Sequence, residues 1–183
     1  MAKIKGTSLS QTVAALRALP DGAARLDPRL RRYLDGGELV SVADWYPEED
    51  QVGLLRPVVQ HLGGGTDAWK QMGRAAATFD LRGVYKHFLR PGDPTATIRK
   101  MAVLWSSYHD TGRLAVILTA PCEVRFELVA YAAPSLEMCA INAGYFRGML
   151  ELAGAREIEI VHEDCTHSGH PSCTWRGKWV DPE

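Results

Sequence analysis

Charge imbalance is the first thing this chain lacks. Its 21 Lys and Arg residues stand against 22 Asp and Glu, a formal net charge of −1, so it carries no basic field of the kind that tracks phosphates or anionic lipid. Nucleic acid and membrane surfaces are poor partners on that ground. Long apolar runs are missing as well: none approaches the roughly 18 residues that a membrane span needs, and the opening Met1-Ala2-Lys3-Ile4-Lys5-Gly6 has no apolar signal core. The expectation is a soluble, cytoplasmic protein. Repeats, low-complexity tracts and long linkers are absent, and 183 residues with 46% hydrophobic content suit one domain over 1–183. Cysteine is sparse, with four in the chain. Without an export signal these point to free thiols, metal or redox chemistry rather than to a disulfide framework. No nucleophile elbow, phosphate loop or paired-carboxylate motif is present. Gly63-x-Gly65-x-x-Ala68 mimics a dinucleotide fingerprint, but it follows a helical pattern and not a strand, so it reads as a turn and cap. No enzyme is expected.

What is there divides into two parts. Residues 1–110 read mainly as helix. Ser8 or Ser10 can cap a segment carrying Val13, Leu16 and Leu19, which stops at Pro20-Asp21-Gly22; a short segment from Pro28 stops at Asp35-Gly36-Gly37. Glu48 to Leu62 places Val52, Leu55, Val59 and Leu62 at helical spacing around Pro57, and Gly63-Gly64-Gly65 ends it. Thr66 opens a helix toward Leu89, and Pro94 opens one to about Tyr108. Residues 111–183 change pattern. Leu114 to Leu118 and Val124 to Tyr131 read as an antiparallel pair, with Val124, Phe126 and Leu128 on one face and Glu123, Arg125 and Glu127 on the other. Pro134 opens a long helix to about Ala153, and two strands follow, Arg156 to His162 and Cys173 to Val180. The expected fold is α+β: N-terminal helices packed on a four-stranded antiparallel sheet of ββαββ order.

The chemistry concentrates between Val161 and Trp175. Strand alternation puts His162 on the side of Ile158 and Ile160, and Cys173 on the side of Trp175 and Trp179. Cys139 lies on the apolar stripe of the preceding helix, at the end that packs beside the last loop. Cys139, His162, Cys165 and Cys173 therefore form an expected metal set near the C-terminus, and Cys3His is a common closed tetrahedral structural Zn²⁺ set. Inert buried thiols and a Cys165–Cys173 disulfide are the competing readings. His167 and His170 are reserve ligands, and Cys122 is an ordinary thiol. His61, His87 and His109 each fall late in a helix or just beyond one, where a hydrogen-bonded His is routine; a haem ligand is the minor reading of them.

The segment from Cys165 to Trp175, with Gly169 between the cysteines and an aromatic two places after the second, resembles the end of the 4-vinyl reductase domain, kin to the haem NO-binding and TRAPP/Bet3 folds. In aromatic-effector sensors of that superfamily zinc is held by Cys, Glu, Cys and Cys, a spacing similar to that of Cys139, His162, Cys165 and Cys173, with His162 where those sensors carry Glu. Trp45-Tyr46-Pro47, Leu81-Arg82-Gly83-Val84-Tyr85 and the Trp105-to-Gly112 passage resemble a family of small paralogous bacterial proteins of unknown function. The resemblance implies a zinc-containing, non-catalytic sensor or adaptor that binds a small apolar or aromatic ligand, forms a homodimer and signals through a protein partner. Candidate wall residues are Trp69, Phe79, Tyr85, Trp105, Tyr108, Phe126, Tyr145 and Phe146. Leu114 to Thr119 lacks the first-strand Trp of phenol sensors, which argues against phenol. A TRAPP/Bet3-type assembly module and a haem-binding or redox protein are the alternatives.

Overall fold

The computed structural model describes residues 1–36 and 39–182. Gly37, part of the second expected stop signal, lies outside the described residues. The chain opens with a short strand, β1 (Lys3–Lys5), and passes directly into helix α1 (Gly6–Arg17). Leu9, Thr12, Val13 and Leu16 repeat every three or four residues and form its buried stripe. Two 3₁₀ segments, Gly22–Arg25 and Pro28–Tyr33, lead to β2 (Trp45–Pro47), which pairs antiparallel with β1. Helix α2 (Glu48–His61) has Glu48, Glu49 and Asp50 in its first turn, where carboxylates meet the positive end of the helix dipole. It accommodates Pro57; the residue four back, whose carbonyl the ring would press, is Gly53.

Helix α3 (Gly65–Arg82) stops at Gly83, short of the expected Leu89, and only a 3₁₀ turn over Lys86–Phe88 follows. The single helix expected from Pro94 is two, α4 (Pro94–Arg99) and α5 (Met101–Tyr108), with Lys100 between them. Asp93 caps α4 by accepting a hydrogen bond from the Ala96 backbone N–H at 2.7 Å.

The C-terminal part follows the expected ββαββ order: β3 (Arg113–Ala120), β4 (Glu123–Val129), α6 (Leu136–Leu152), β5 (Arg156–Asp164) and β6 (Cys173–Val180). The strands form one antiparallel four-stranded sheet in the order β3-β4-β6-β5. The charged residues of β4 lie toward solvent and its apolar residues inward, with Val124 and Phe126 fully buried. Phe126 stacks on Phe146 of α6 at 3.9 Å, and Trp175 of β6 meets Phe146 edge-on at 5.5 Å, so this aromatic trio joins helix to sheet. Ser135 caps α6 by accepting from the Met138 N–H at 3.1 Å.

Helices α3 and α6 touch through their backbones. A Cβ added at Gly73 would lie 1.9 Å from the Ile141 carbonyl oxygen, and one at Gly144 would lie 1.9 Å from that of Lys70. Two apolar clusters result. One joins α3, α5 and α6 to the sheet; the other joins α1, the 3₁₀ segments and α2 around Leu9, Leu30, Tyr33 and Leu54. No helix among the described residues is long and apolar enough to cross a membrane.

Candidate functional site

Two of the places that bring chemically capable side chains together among the described residues bear on function. The first is the C-terminal cluster. Cys139 comes from the first turn of α6, His162 from β5, Cys165 from the end of that strand's turn and Cys173 from the start of β6. Their donor atoms all lie within 4.8 Å of one another. The three sulfurs are 3.5, 3.7 and 3.8 Å apart, well beyond the ~2.05 Å of a disulfide. Metal–thiolate bonds of about 2.3 Å in a tetrahedron space sulfurs by nearly that amount. His162 stacks on Trp175 at 5.1 Å, and its buried Nε2 makes no aligned hydrogen bond though the side chain lies against Cys173. The Cys173 thiol is pushed down to about 3 by the hydrogen bond it receives from Cys139, with His162 and Thr166 adding to it. The Cys139 thiol is pushed up, first by donating that bond and then by burial. These are two faces of one shared proton in a donor set suited to a soft cation. His167 sits in the adjoining 3₁₀ turn and His170 pairs with Asp164 at 3.2 Å, so neither reserve ligand belongs to the set. Cys122 is a half-buried free thiol outside it.

The second place is a cavity of about 510 Å³ among α1, α2, α3, α5 and α6. Its apolar wall includes Met72, Phe79, Met101, Trp105, Met138 and Ile141. Of the eight expected wall residues, Phe79, Trp105, Tyr108 and Tyr145 line it. Trp69, Tyr85, Phe126 and Phe146 are not in the wall: Phe126 and Phe146 fill the aromatic joint beneath the helix, and Tyr85 packs against Tyr108 from behind at 4.9 Å.

The cavity also holds residues that the sequence did not single out. Asp80 is 3% exposed, and its carboxylate accepts from Gln11 Nε2 at 2.9 Å and from Tyr145 OH at 3.0 Å. Burial pushes its carboxyl above the usual range in spite of those donors. Gln51 donates to Thr12 at 2.8 Å and Ser8 at 3.1 Å, which fixes its amide and leaves Oε1 unpartnered. Helical spacing was the available signal: Ser8, Gln11, Thr12 and Ala15 recur at three and four residues along α1 and share one face.

His109 lies on the same wall, one residue beyond α5. Its ring stacks on Trp105 at 3.8 Å and 17°. Nδ1 is 2.8 Å from Oε1 of Glu48, close enough for an ion pair but misaligned as a hydrogen bond. That same oxygen accepts from Tyr131 OH. The β1 bridge between Ile4 and His109 and the Lys3 N–H donated to Asp110 at 2.6 Å fasten the residue from the other side. Nε2 takes no partner among the described residues. A histidine whose Nδ1 faces a buried carboxylate is oriented to offer Nε2 to a metal.

No family model matches this chain, and no curated protein matches it. Solved structures do. An H-NOX protein from S. oneidensis in the Fe(II)NO ligation state is 15% identical, with a TM-score of 0.70 over 97% of this chain and 99% of that one. An oxygen-binding H-NOX domain related to soluble guanylate cyclases, in its oxygen complex, is 16% identical, with a TM-score of 0.68 over 97% and 96%. A structure described for heme redox potential modulated through porphyrin distortion is 15% identical, with a TM-score of 0.65 over 95% and 99%. The fold is that of the H-NOX domain. This carries the haem NO-binding part of the expected kinship; the 4-vinyl reductase and TRAPP/Bet3 parts draw no support from these neighbours. It also corrects the expected cofactor. These neighbours are described by Fe(II), NO, oxygen and heme and none of them by zinc, so the expectation of structural zinc is not carried by this fold.

The residues present fit a haem at one point and leave it unsupported at another. His109 supplies an oriented imidazole on an apolar, aromatic wall. Among the described residues no Lys or Arg lines the cavity, so the two carboxylates of a haem would have to reach its mouth, and Asp80 adds a buried acid inside.

Proposed function

We propose that this chain is a non-catalytic, ligand-binding sensor domain whose receptor is the cavity between the N-terminal helices and α6. The observation that carries this reading is the H-NOX fold together with a 510 Å³ cavity of mostly apolar wall at the junction of the two parts. Haem is the occupant that the neighbours' descriptions put first. His109 would hold its iron, Glu48 and Tyr131 would fix the imidazole, and Trp105 would support the ring. When bound, such a group supplies reversible binding of a diatomic gas. The protein's own share is to exclude water from the cavity and to hold His109 in one orientation.

A second occupant is favoured by the missing cationic wall: an organic molecule bound without haem. Haemin titration followed in the visible spectrum separates the two. A shift and sharpening of the haemin Soret band that saturates at one equivalent and is lost in His109→Ala supports haem; a band that stays that of free haemin at every ratio leaves the cavity to an organic ligand.

Cys139, His162, Cys165 and Cys173 are proposed as a donor set for a soft cation between α6 and the last hairpin. Signalling through a protein partner, a homodimer, one domain over 1–183 and a cytoplasmic setting complete the proposal.

A further inference from the structure

Asp80 is a carboxylate buried in a cavity wall with no cation beside it, and that needs a physical explanation. Its donors, Gln11 and Tyr145, are neutral, and among the described residues no Lys, Arg or His pairs with it. One more polar atom of the same cavity, Gln51 Oε1, is unpartnered on a residue 5% exposed, and Tyr108 OH lies beside the Asp80 carboxylate without an aligned hydrogen bond. A buried polar atom without a partner costs about 1–3 kcal/mol, and such atoms in native proteins mark missing waters, ions or ligands.

The chemistry of these three groups is uniform. The Asp80 carboxylate and Gln51 Oε1 can only accept, and the Tyr108 oxygen can accept. They also belong together in space. Gln51 is fixed by Ser8 and Thr12, and Asp80 by Gln11, all within about one turn of α1. The rest of the wall is mostly apolar: Phe79 and Trp105 offer ring faces, which attract cations, the methionines offer adaptable surface, and Leu55 and Ile141 are aliphatic.

We infer that this end of the cavity is a subsite for the ammonium head of a lipophilic amine, with Asp80, Gln51 and Tyr108 accepting its N–H donors and the apolar wall taking its tail. The inference rests on the cavity being the receptor site and names the ligand for its haem-free form. An ammonium group supplies both things the wall lacks, positive charge for Asp80 and a donor for the unpartnered Gln51 oxygen. A dianionic or carboxylate-headed ligand supplies neither.

The test uses the full chain, shown free of haem by its visible spectrum, because a haem iron would also take an amine. Calorimetric titration with 2-phenylethylamine, protonated at neutral pH, is compared with 2-phenylethanol, which has nearly the same shape and no charge. The amine is expected to bind about ten-fold or more tightly, the worth of a charge-assisted contact with a buried carboxylate. In Asp80→Asn that preference should fall to within about two-fold, since the neutral isostere keeps its hydrogen-bonding shape. Equal binding of the two probes, an undiminished preference in Asp80→Asn, or no binding of either overturns the inference; the wild-type comparison decides even if the variant does not fold. A parallel haemin titration keeps the readings apart. Haemin binding without amine binding sinks this inference alone, amine binding without haemin binding removes haem as occupant and leaves the receptor site standing, and failure of both removes the receptor site itself.

Discussion

Gly144→Ala tests the packing on which the cavity depends. Alanine favours a helix interior over glycine by about 0.8–1 kcal/mol, so local propensity alone predicts stabilisation. The structure predicts the reverse. The new methyl would sit 1.9 Å from the Lys70 carbonyl oxygen, where real contacts essentially never fall below 3.0 Å, so α3 and α6 must part by about 1 Å. The obstacle is backbone inside an 18-residue helix and cannot swing aside. Overpacking of this kind costs roughly 1–3 kcal/mol or more, and in a protein of this size each kcal/mol lowers Tm by about 2–4 °C. Because backbone cannot yield, the upper part of that range applies, and subtracting the propensity gain of about 1 kcal/mol leaves a net loss of roughly 1–2 kcal/mol and a fall of about 2–8 °C in urea and thermal unfolding. Met72, Ala76 and Asp80 of α3 face Met138, Ile141 and Tyr145 of α6 around the cavity, so ligand affinity should change as well. A variant as stable as the parent, or more so, would show that the helices are not in backbone contact.

Other outcomes follow from the same structure. Phe146→Ala removes the ring shared by Phe126 and Trp175 and should cost about 3–5 kcal/mol in denaturant unfolding. Cys173→Ala and Cys165→Ala should each lower bound metal and stability together, while His167→Ala changes neither, as elemental analysis and melting curves would show. If haem binds, Glu48→Gln should weaken haemin affinity by about 10–100-fold through the loss of His109 orientation, measured at the Soret band; an unchanged affinity would separate Glu48 from that role. Asp80 is raised by burial, so the folded form binds a proton more tightly than the unfolded chain does. Its contribution to stability is full below the ordinary carboxylate range near ~4 and is lost as pH rises through its raised value. Asp80→Asn should therefore flatten the decline in unfolding free energy above that range, and a slope unchanged by the substitution would clear Asp80 of it.

The fold class was legible wherever one face of an element meets water. β4 shows this best, because its alternation of Val124, Phe126 and Leu128 with Glu123, Arg125 and Glu127 records burial directly. The convergence of Cys139, His162, Cys165 and Cys173 was legible for a related reason: strand parity and a helical stripe fix which way each side chain points. β1 and β2 were missed because three-residue strands are too short to show a period, and their lysines and prolines do not read as sheet. The helix break at Lys100 was missed because nothing in its local composition opposes a continuous helix. The cavity was only half visible. Aromatic residues announce apolar volume without saying whether it is filled, and Phe126 and Phe146 fill theirs. Ser8, Gln11, Gln51 and Asp80 look like ordinary solvated positions until tertiary packing turns them inward.

Consecutive residues of α6 face different places: Met138 lies in the cavity wall and Cys139 in the thiol cluster. One rigid rod therefore carries a side chain of each. A roll of α6 about its axis that opened room beside Met138 would swing the Cys139 sulfur through the same angle, and its 3.5 Å spacing from Cys165 has little slack to absorb the turn. Pinning those sulfurs together would stiffen the far wall of the chamber without touching whatever occupies it.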